Sequence, residues 1–261
     1  MRKTDIKAEL DKLALMYNQS GFIHNDPICI PHRFSKPQDI EISGFFAALL
    51  AWGTRTGIIN SASKLMALMD NSPHDFIINH QETDRKNFEY WVHRTFQYAD
   101  MLYFLEWLQY HYQQNKSLES AFNKGLSPND EHVGNALIHF HHYFFSLPHL
   151  SRTHKHLQTP ERKSACKRLN LFLRWMVRKD TTGVDFGLWN SIKPSQLICP
   201  LDVHVHRTAT QLKLISRKQA DWQAAIELTD QLKKWNAEDP VLYDFALFGW
   251  GIQQSGKQVI K

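Results

Sequence analysis

Apolar side chains recur three and four positions apart along nearly the whole chain, and no stretch alternates apolar with polar residues long enough to make a half-buried strand. The spacing predicts helices over about 4–18, 38–52, 55–70, 99–114, 130–146, 163–179, 202–214, 220–235 and 239–252, so an all-α fold is expected. Several ends are legible. Asp221 and Asp239 stand where N-caps belong, and Pro240 takes a first helical position, where no amide is needed. Pro200 biases Cys199 toward extended backbone and marks a break. The next helix then opens at Asp202, whose carboxylate can accept the free amides of the first turn, with Val205, Ala209 and Leu212 as its buried stripe.

No internal repeat or low-complexity linker interrupts this pattern. The expected architecture is a two-lobed helical body with a central cleft, its lobes over about 36–140 and 141–255. Residues 1–35 read as a helix and an irregular arm packed on that body, and 256–261 as a tail.

Composition removes several classes of function. With 261 residues, 43% of them hydrophobic and 22% charged, the chain is globular and large enough for one or two cores. Its longest apolar runs, such as 45–52, fall far short of the ~20 residues of a membrane span, and there is no signal-peptide pattern. A cytoplasmic monomer with no membrane partner is expected. Cys29, Cys166 and Cys199 are too few and too scattered for a disulfide framework or a four-cysteine iron–sulfur cluster, so neither cofactor nor metal is expected.

A net charge of +5 favours a polyanionic partner. The distribution sharpens that reading. Arg152, Lys155, Arg162, Lys163, Lys167, Arg168, Arg174, Arg178 and Lys179 are opposed before Asp180 only by Glu161, a stretch suited to tracking phosphates. Its competing reading is a solvated helix face, although the acidic partners of a salt-bridged face are nearly absent.

Three segments, in order, resemble the helix-hairpin-helix (HhH-GPD) DNA glycosylase superfamily. Residues 200–214, beginning Pro-Leu-Asp-Val-His-Val-His-Arg, are similar to its Pro-Val-Asp-Thr-His-Val-x-Arg stretch and the short apolar helix that follows. Residues 45–56, Phe-Phe-Ala-Ala-Leu-Leu-Ala-Trp-Gly-Thr-Arg-Thr, running on to Asn60 and Leu65, look like its early helix, whose end carries pocket and DNA-wedge residues. Residues 239–249, Asp-Pro-Val-Leu-Tyr-Asp-Phe-Ala-Leu-Phe-Gly, look like its closing helix. The resemblance spans about 36–255; it is nearest to a bacterial family of unknown function and more distant to the archaeal 8-oxoguanine glycosylases.

That resemblance implies base-excision repair: a glycosylase acting on double-stranded DNA with a flipped damaged base, an oxidised purine first among them, and a Schiff-base β-lyase step where a lysine attacks the sugar. Asp202 would be the catalytic carboxylate, stabilising the oxocarbenium-like sugar and moving protons. Lys167 would be the amine, because Lys-Arg-Leu-Asn-Leu-Phe-Leu over 167–173 is similar to the family's lysine with an asparagine three places on; Lys163 is held in reserve. Its activation is expected from partial burial and from cations such as Arg168. Trp52, Arg55 and Trp175 are candidates for the base pocket, and Arg162, Lys163, Arg168, Arg174 and Arg207 for the DNA backbone. Without the resemblance, Asp202 reads as a helix cap, Lys167 as a solvated or phosphate-contacting lysine, and Trp175 as core.

Two departures matter. The family's Leu-Pro-Gly-Val-Gly hairpin is mimicked by Leu147, Pro148, His149 and Leu150 but lacks both glycines, so either a different hairpin, such as 157–163, serves or the chain binds DNA more weakly. Lys167 and Asp202 stand 35 positions apart, a spacing nearer the archaeal type, and the intervening 180–197 includes Phe186 and Trp189, as pocket lining or as core anchors. Two further readings stay open: a non-catalytic binder of DNA or RNA structures on the same fold, and a metal-dependent hydrolase using His204 and His206 or His139, His141 and His142. His204 and His206 are two apart on a predicted helix and so face different ways, against the metal reading.

Overall fold

A computed structural model describes the backbone of residues 3–258 and the side chains of 5–254. The helices are α1 (Lys3–Tyr17), α2 (Pro37–Leu49), α3 (Arg55–Leu68), α4 (Pro73–Asn79), α5 (Glu82–Arg85), α6 (Tyr98–Tyr112), α7 (Glu119–Asn123), α8 (Gly134–Phe144), α9 (Lys167–Val177), α10 (Val203–Gln211), α11 (Trp222–Lys233) and α12 (Tyr243–Gln258). Short 3-10 turns join many of them. Among the described residues there is no strand, only the isolated bridges His93–Phe96 and Ser164–Asp221, so the fold is all-α. α4, α5 and α7 escape the periodicity because none is long enough to repeat an apolar face. The expected tail runs as helix to Gln258, and 259–261 lie outside the described residues.

The chain divides into two compact units. The central unit comprises Ile23–Leu126 and Ala136–Gln158; the terminal unit comprises Met1–Phe22, Ser127–Asn135 and Thr159–Lys261. The second lobe anticipated from 141 therefore starts at 159, with 127–135 crossing over to join it. Hydrogen bonds to the backbone of this segment explain the crossover: Val133 N donates to Gln196 O at 3.0 Å, and Lys233 Nζ to Glu131 O at 2.9 Å.

In the central unit α2 is apolar all round and buried from Ile40 to Leu49. Its Phe45 meets Phe104, Phe140 and Phe144 at ring separations of 5.9–6.3 Å, and Phe122 stacks on Phe140 at 3.9 Å. One carboxylate enters this apolar setting. Glu41 accepts from Tyr112 Oη at 2.8 Å, from Leu118 N at 3.0 Å and from Ser117 Oγ, which ties α2 to the start of α7.

In the terminal unit α1 lies against α12, burying Leu10, Leu13 and Ala14. The approach needs a glycine: a Cβ at Gly249 would stand 2.3 Å from the Tyr17 ring. Tyr243 Oη donates to Asp11 Oδ1 at 2.7 Å across the same seam.

Candidate active site

α9 starts four residues later than the periodicity predicts, for a local reason. The turn before it opens at Thr159, whose Oγ1 accepts from Glu161 N at 3.4 Å, and runs through Pro160–Arg162 into Lys163, a left-handed residue at φ 59°. Cys166 is left-handed too, at φ 50°. Neither is glycine, and each such conformation costs on the order of 1 kcal/mol, so the surroundings must hold them. They do: Trp222 N donates to Lys163 O at 3.2 Å, Ser164 bridges to Asp221, and Cys166 N donates to Ser164 Oγ at 3.1 Å. No left-handed residue occurs over 147–152, so the turn leading into the lysine is the later one.

Lys167 is consequently the first residue of α9, where the first-turn amides have no helical acceptors and the positive end of the helix dipole lies. It is half-buried, and its ammonium makes no hydrogen bond or ion pair among the described residues. Arg168 beside it is half-buried as well, and burial lowers its guanidinium to about 10, still charged at neutral pH. Asn170, in the same first turn, donates Nδ2 to Ala165 O at 3.0 Å, while its buried Oδ1 has no partner among the described residues.

Asp202 is reached through buried Ile198, Cys199, Pro200 and Leu201, with Cys199 N anchored on Thr229 Oγ1 of α11 at 3.0 Å. Its backbone is extended, and its Oδ1 accepts from His204 N and Val205 N, both at 2.9 Å. Asp202 is therefore the N-cap of α10, as one reading of the sequence had it. Cap and reactive group are not rivals, because Oδ2 accepts no hydrogen bond among the described residues and the side chain is half-exposed.

Asp244 of α12 joins the two. It is buried, paired with Arg174, and its carboxyl is pushed up to about 6. Burial does most of this, opposed by the charges of Arg174 and Lys167 and reinforced by that of Asp202. A single buried carboxylate thus feels both Lys167 and Asp202, whose helices start in its neighbourhood. The Cys199 thiol is driven well up by burial first, with Asp244 and Asp202 adding to it, so it stays a protonated core group.

Other candidates divide sharply. Arg162, Lys163 and Arg207 are exposed, as phosphate contacts must be. Arg174 is 2% exposed and correction is needed: it faces the core, with Nε 3.2 Å from Asp185 and Nη1 on Asp244, and stacks over Phe245 at 4.3 Å. Arg178 likewise pairs with Asp180, with Asp185 at 3.1 Å and with Asp239 at 2.8 Å. The acids that neutralise the basic stretch lie beyond it in sequence, which is why it looked unopposed. Asp239 serves that pair and makes no side-chain cap, so α12 proper begins only at Tyr243.

Trp175 is also corrected, from pocket to core: it is wholly buried, so no base can stack on it. The 180–197 insert is laid on α9 by Phe186 N donating to Trp175 O at 2.8 Å and Trp189 N to Met176 O at 2.9 Å, with Trp189 edge-on to Phe172 at 5.3 Å. Trp52 and Arg55 belong to the central unit. Arg55 is exposed at the start of α3, and the Trp52 ring has the Arg94 guanidinium 5.1 Å above its centre.

Within the terminal unit, no three described His, Cys, Asp or Glu side chains come close enough to share an ion. His204 is exposed, and His206 Nε2 bonds Arg217 O at 2.9 Å. Asp244 is the residue that sequence reasoning passed over. It lies within 239–249, and its only sequence signal is a carboxylate on an otherwise apolar helix face.

The family described as "Protein of unknown function (DUF2400)" matches residues 26–253. No curated protein and no solved structure matches the chain.

Proposed function

The chain belongs to that family of unknown function, so its chemistry must be argued from its own residues, and we propose that it is a DNA glycosylase that removes a damaged base. The observation that carries this reading is that the buried Asp244 carboxyl feels the charges of both Lys167 and Asp202, which stand at the N-termini of two helices, each with a reactive atom left unbonded among the described residues. A lysine and a carboxylate so placed suit attack on a deoxyribose carbon. Asp202 takes the proton from the Lys167 ammonium, and the freed amine bonds to C1′ as the C1′–N bond to the base breaks. The departing base leaves with the electron pair and takes up that proton from Asp202, and the carboxylate so restored stabilises the positive sugar. Ring opening gives an imine, and loss of the C2′ proton expels the 3′ phosphate.

Exposed Arg162, Lys163 and Arg207, in the turn before α9 and on α10, suit the flanking phosphates. An oxidised purine in duplex DNA is the first substrate to try. The test is base release from duplexes carrying different lesions, with DNA affinity measured alongside. Lys167→Gln and Asp202→Asn should abolish release and leave affinity within about twofold; unchanged release in both variants overturns the assignment.

A second reading, a non-catalytic binder of DNA structure, draws on the Lys163 and Cys166 side chains, which occupy left-handed positions where glycines would let a phosphate approach closely. It predicts tight binding with no release from any duplex.

A further inference from the structure

Beyond that chemistry, we infer that the central unit carries a binding site for a divalent first-row transition ion, zinc or copper, on His149 and His154. The two imidazoles converge, with Nε2 of one 2.9 Å from Nε2 of the other. The far nitrogen of His149 is already committed: Nδ1 lies 2.7 Å from Leu147 O, a carbonyl that can only accept, so the proton sits on Nδ1 and Nε2 presents its lone pair. A metal-bound histidine is oriented in just this way, by donating its other N–H to a backbone carbonyl.

In the metal-free protein His154 must donate its Nε2 proton to His149. When the ion binds, that proton is exchanged to Nδ1 and neutral His154 becomes the second ligand through Nε2. Two nitrogens on a tetrahedral zinc at about 2.0–2.1 Å stand about 3.3 Å apart, so the 2.9 Å pair need open by only about 0.4 Å. The rings are held close to that geometry. Phe145 packs on both, at 4.8 Å from His149 and 4.1 Å from His154, and Tyr103 lies 5.4 Å from His149. Both histidines are half-exposed, which leaves room for water to complete the coordination.

The charges around the pair permit a cation. Arg152, between them in sequence, is tied to buried Asp100 at 3.2 Å and to Thr95 O at 3.2 Å. The Tyr103 phenol, pushed up by burial, stays protonated and donates to Phe144 O, so it is not a ligand. The sequence reading of a metal centre looked to His139, His141 and His142, of which His141 and His142 do bring ligand atoms within 4.8 Å of each other; the inferred pair lies in the segment after α8.

The test uses the full chain, freed of metal with a chelator. Titration with zinc followed by calorimetry should give one ion per chain at micromolar affinity, and copper should give an EPR spectrum with two imidazole nitrogens. His149→Ala and His154→Ala should each weaken zinc at least tenfold and leave one coupled nitrogen, whereas His204→Ala changes neither. Should the alanine variants unfold, His149→Gln and the nitrogen count of the unmutated protein still decide. No ion retained at micromolar zinc, fewer than two coupled nitrogens, or unchanged affinity in the variants overturns the inference.

Discussion

The two ends of α9 carry the same kind of side chain and do opposite things with it. At its start Lys167 is half-buried with an unbonded ammonium, beside a turn that keeps Arg162 and Lys163 in solvent. Two turns on, Arg174 and Arg178 are sealed in the core by Asp185, Asp244, Asp180 and Asp239. The nine basic residues spread over 152–179 are therefore not one basic surface. Arg162 and Lys163 stand exposed to meet a polyanion, whereas Arg174 and Arg178 form a buried ionic framework that holds Asp244.

The sharpest way to break this contrast is to remove the buried cation. Arg174→Leu strands the carboxylates of Asp185 and Asp244, and loss of one partner of a buried pair costs about 3–5 kcal/mol. Urea unfolding should show that loss, while Arg162→Leu should change stability by no more than about 0.5 kcal/mol. Equal effects would erase the distinction.

The next test is pH. Asp244 holds its proton up to about 6, above the ~3.9 of an unfolded aspartate, so the native state binds that proton more tightly between the two values. Its stabilising contribution is present in full below about pH 4 and falls by roughly 3 kcal/mol as pH rises to about 6. The stability gap between the unmutated protein and Asp244→Asn should shrink over that range. A gap independent of pH would mean that Asp244 titrates normally.

Smaller effects probe the open end. Asp202→Ala should cost about 1 kcal/mol by removing the cap, whereas Asp202→Asn keeps an acceptor for His204 N and Val205 N and should cost only a few tenths. A larger loss in the asparagine variant would show that Oδ2 also holds the fold. Arg162→Ala and Arg207→Ala should each reduce the slope of log affinity for duplex DNA against log salt by about 0.9, with no change in unfolding. An unaltered slope would remove them from the DNA contact.

Much of the framework was readable before any coordinates. The long amphipathic helices stand near their predicted places because each repeats an apolar face over several turns, and Asp202 and Asp221 cap as their positions suggest. The short α4, α5 and α7 were hidden for lack of length. What escaped in the site was long-range pairing. Nothing local to 174–178 discloses that its counter-charges come from 180–185, 239 and 244, and a helical periodicity cannot say whether an arginine on the apolar side of α9 is buried with a partner or turned to solvent. The same limit made Trp175 ambiguous and concealed Asp244. The crossover of 127–135 was equally invisible, because hydrogen bonds to Gln196 and Lys233, not composition, decide it.

The central claim is that Lys167 and Asp202 act on one sugar carbon, and borohydride trapping tests it most directly. The protein would be incubated with duplexes carrying 8-oxoguanine, uracil, alkylated adenine, thymine glycol or an abasic site, with undamaged DNA as control. A reduced covalent adduct on a damaged duplex, absent in Lys167→Gln and retained in Lys163→Gln, is the expected result. An adduct that survives Lys167→Gln, or no adduct and no base release on any duplex, would contradict the account.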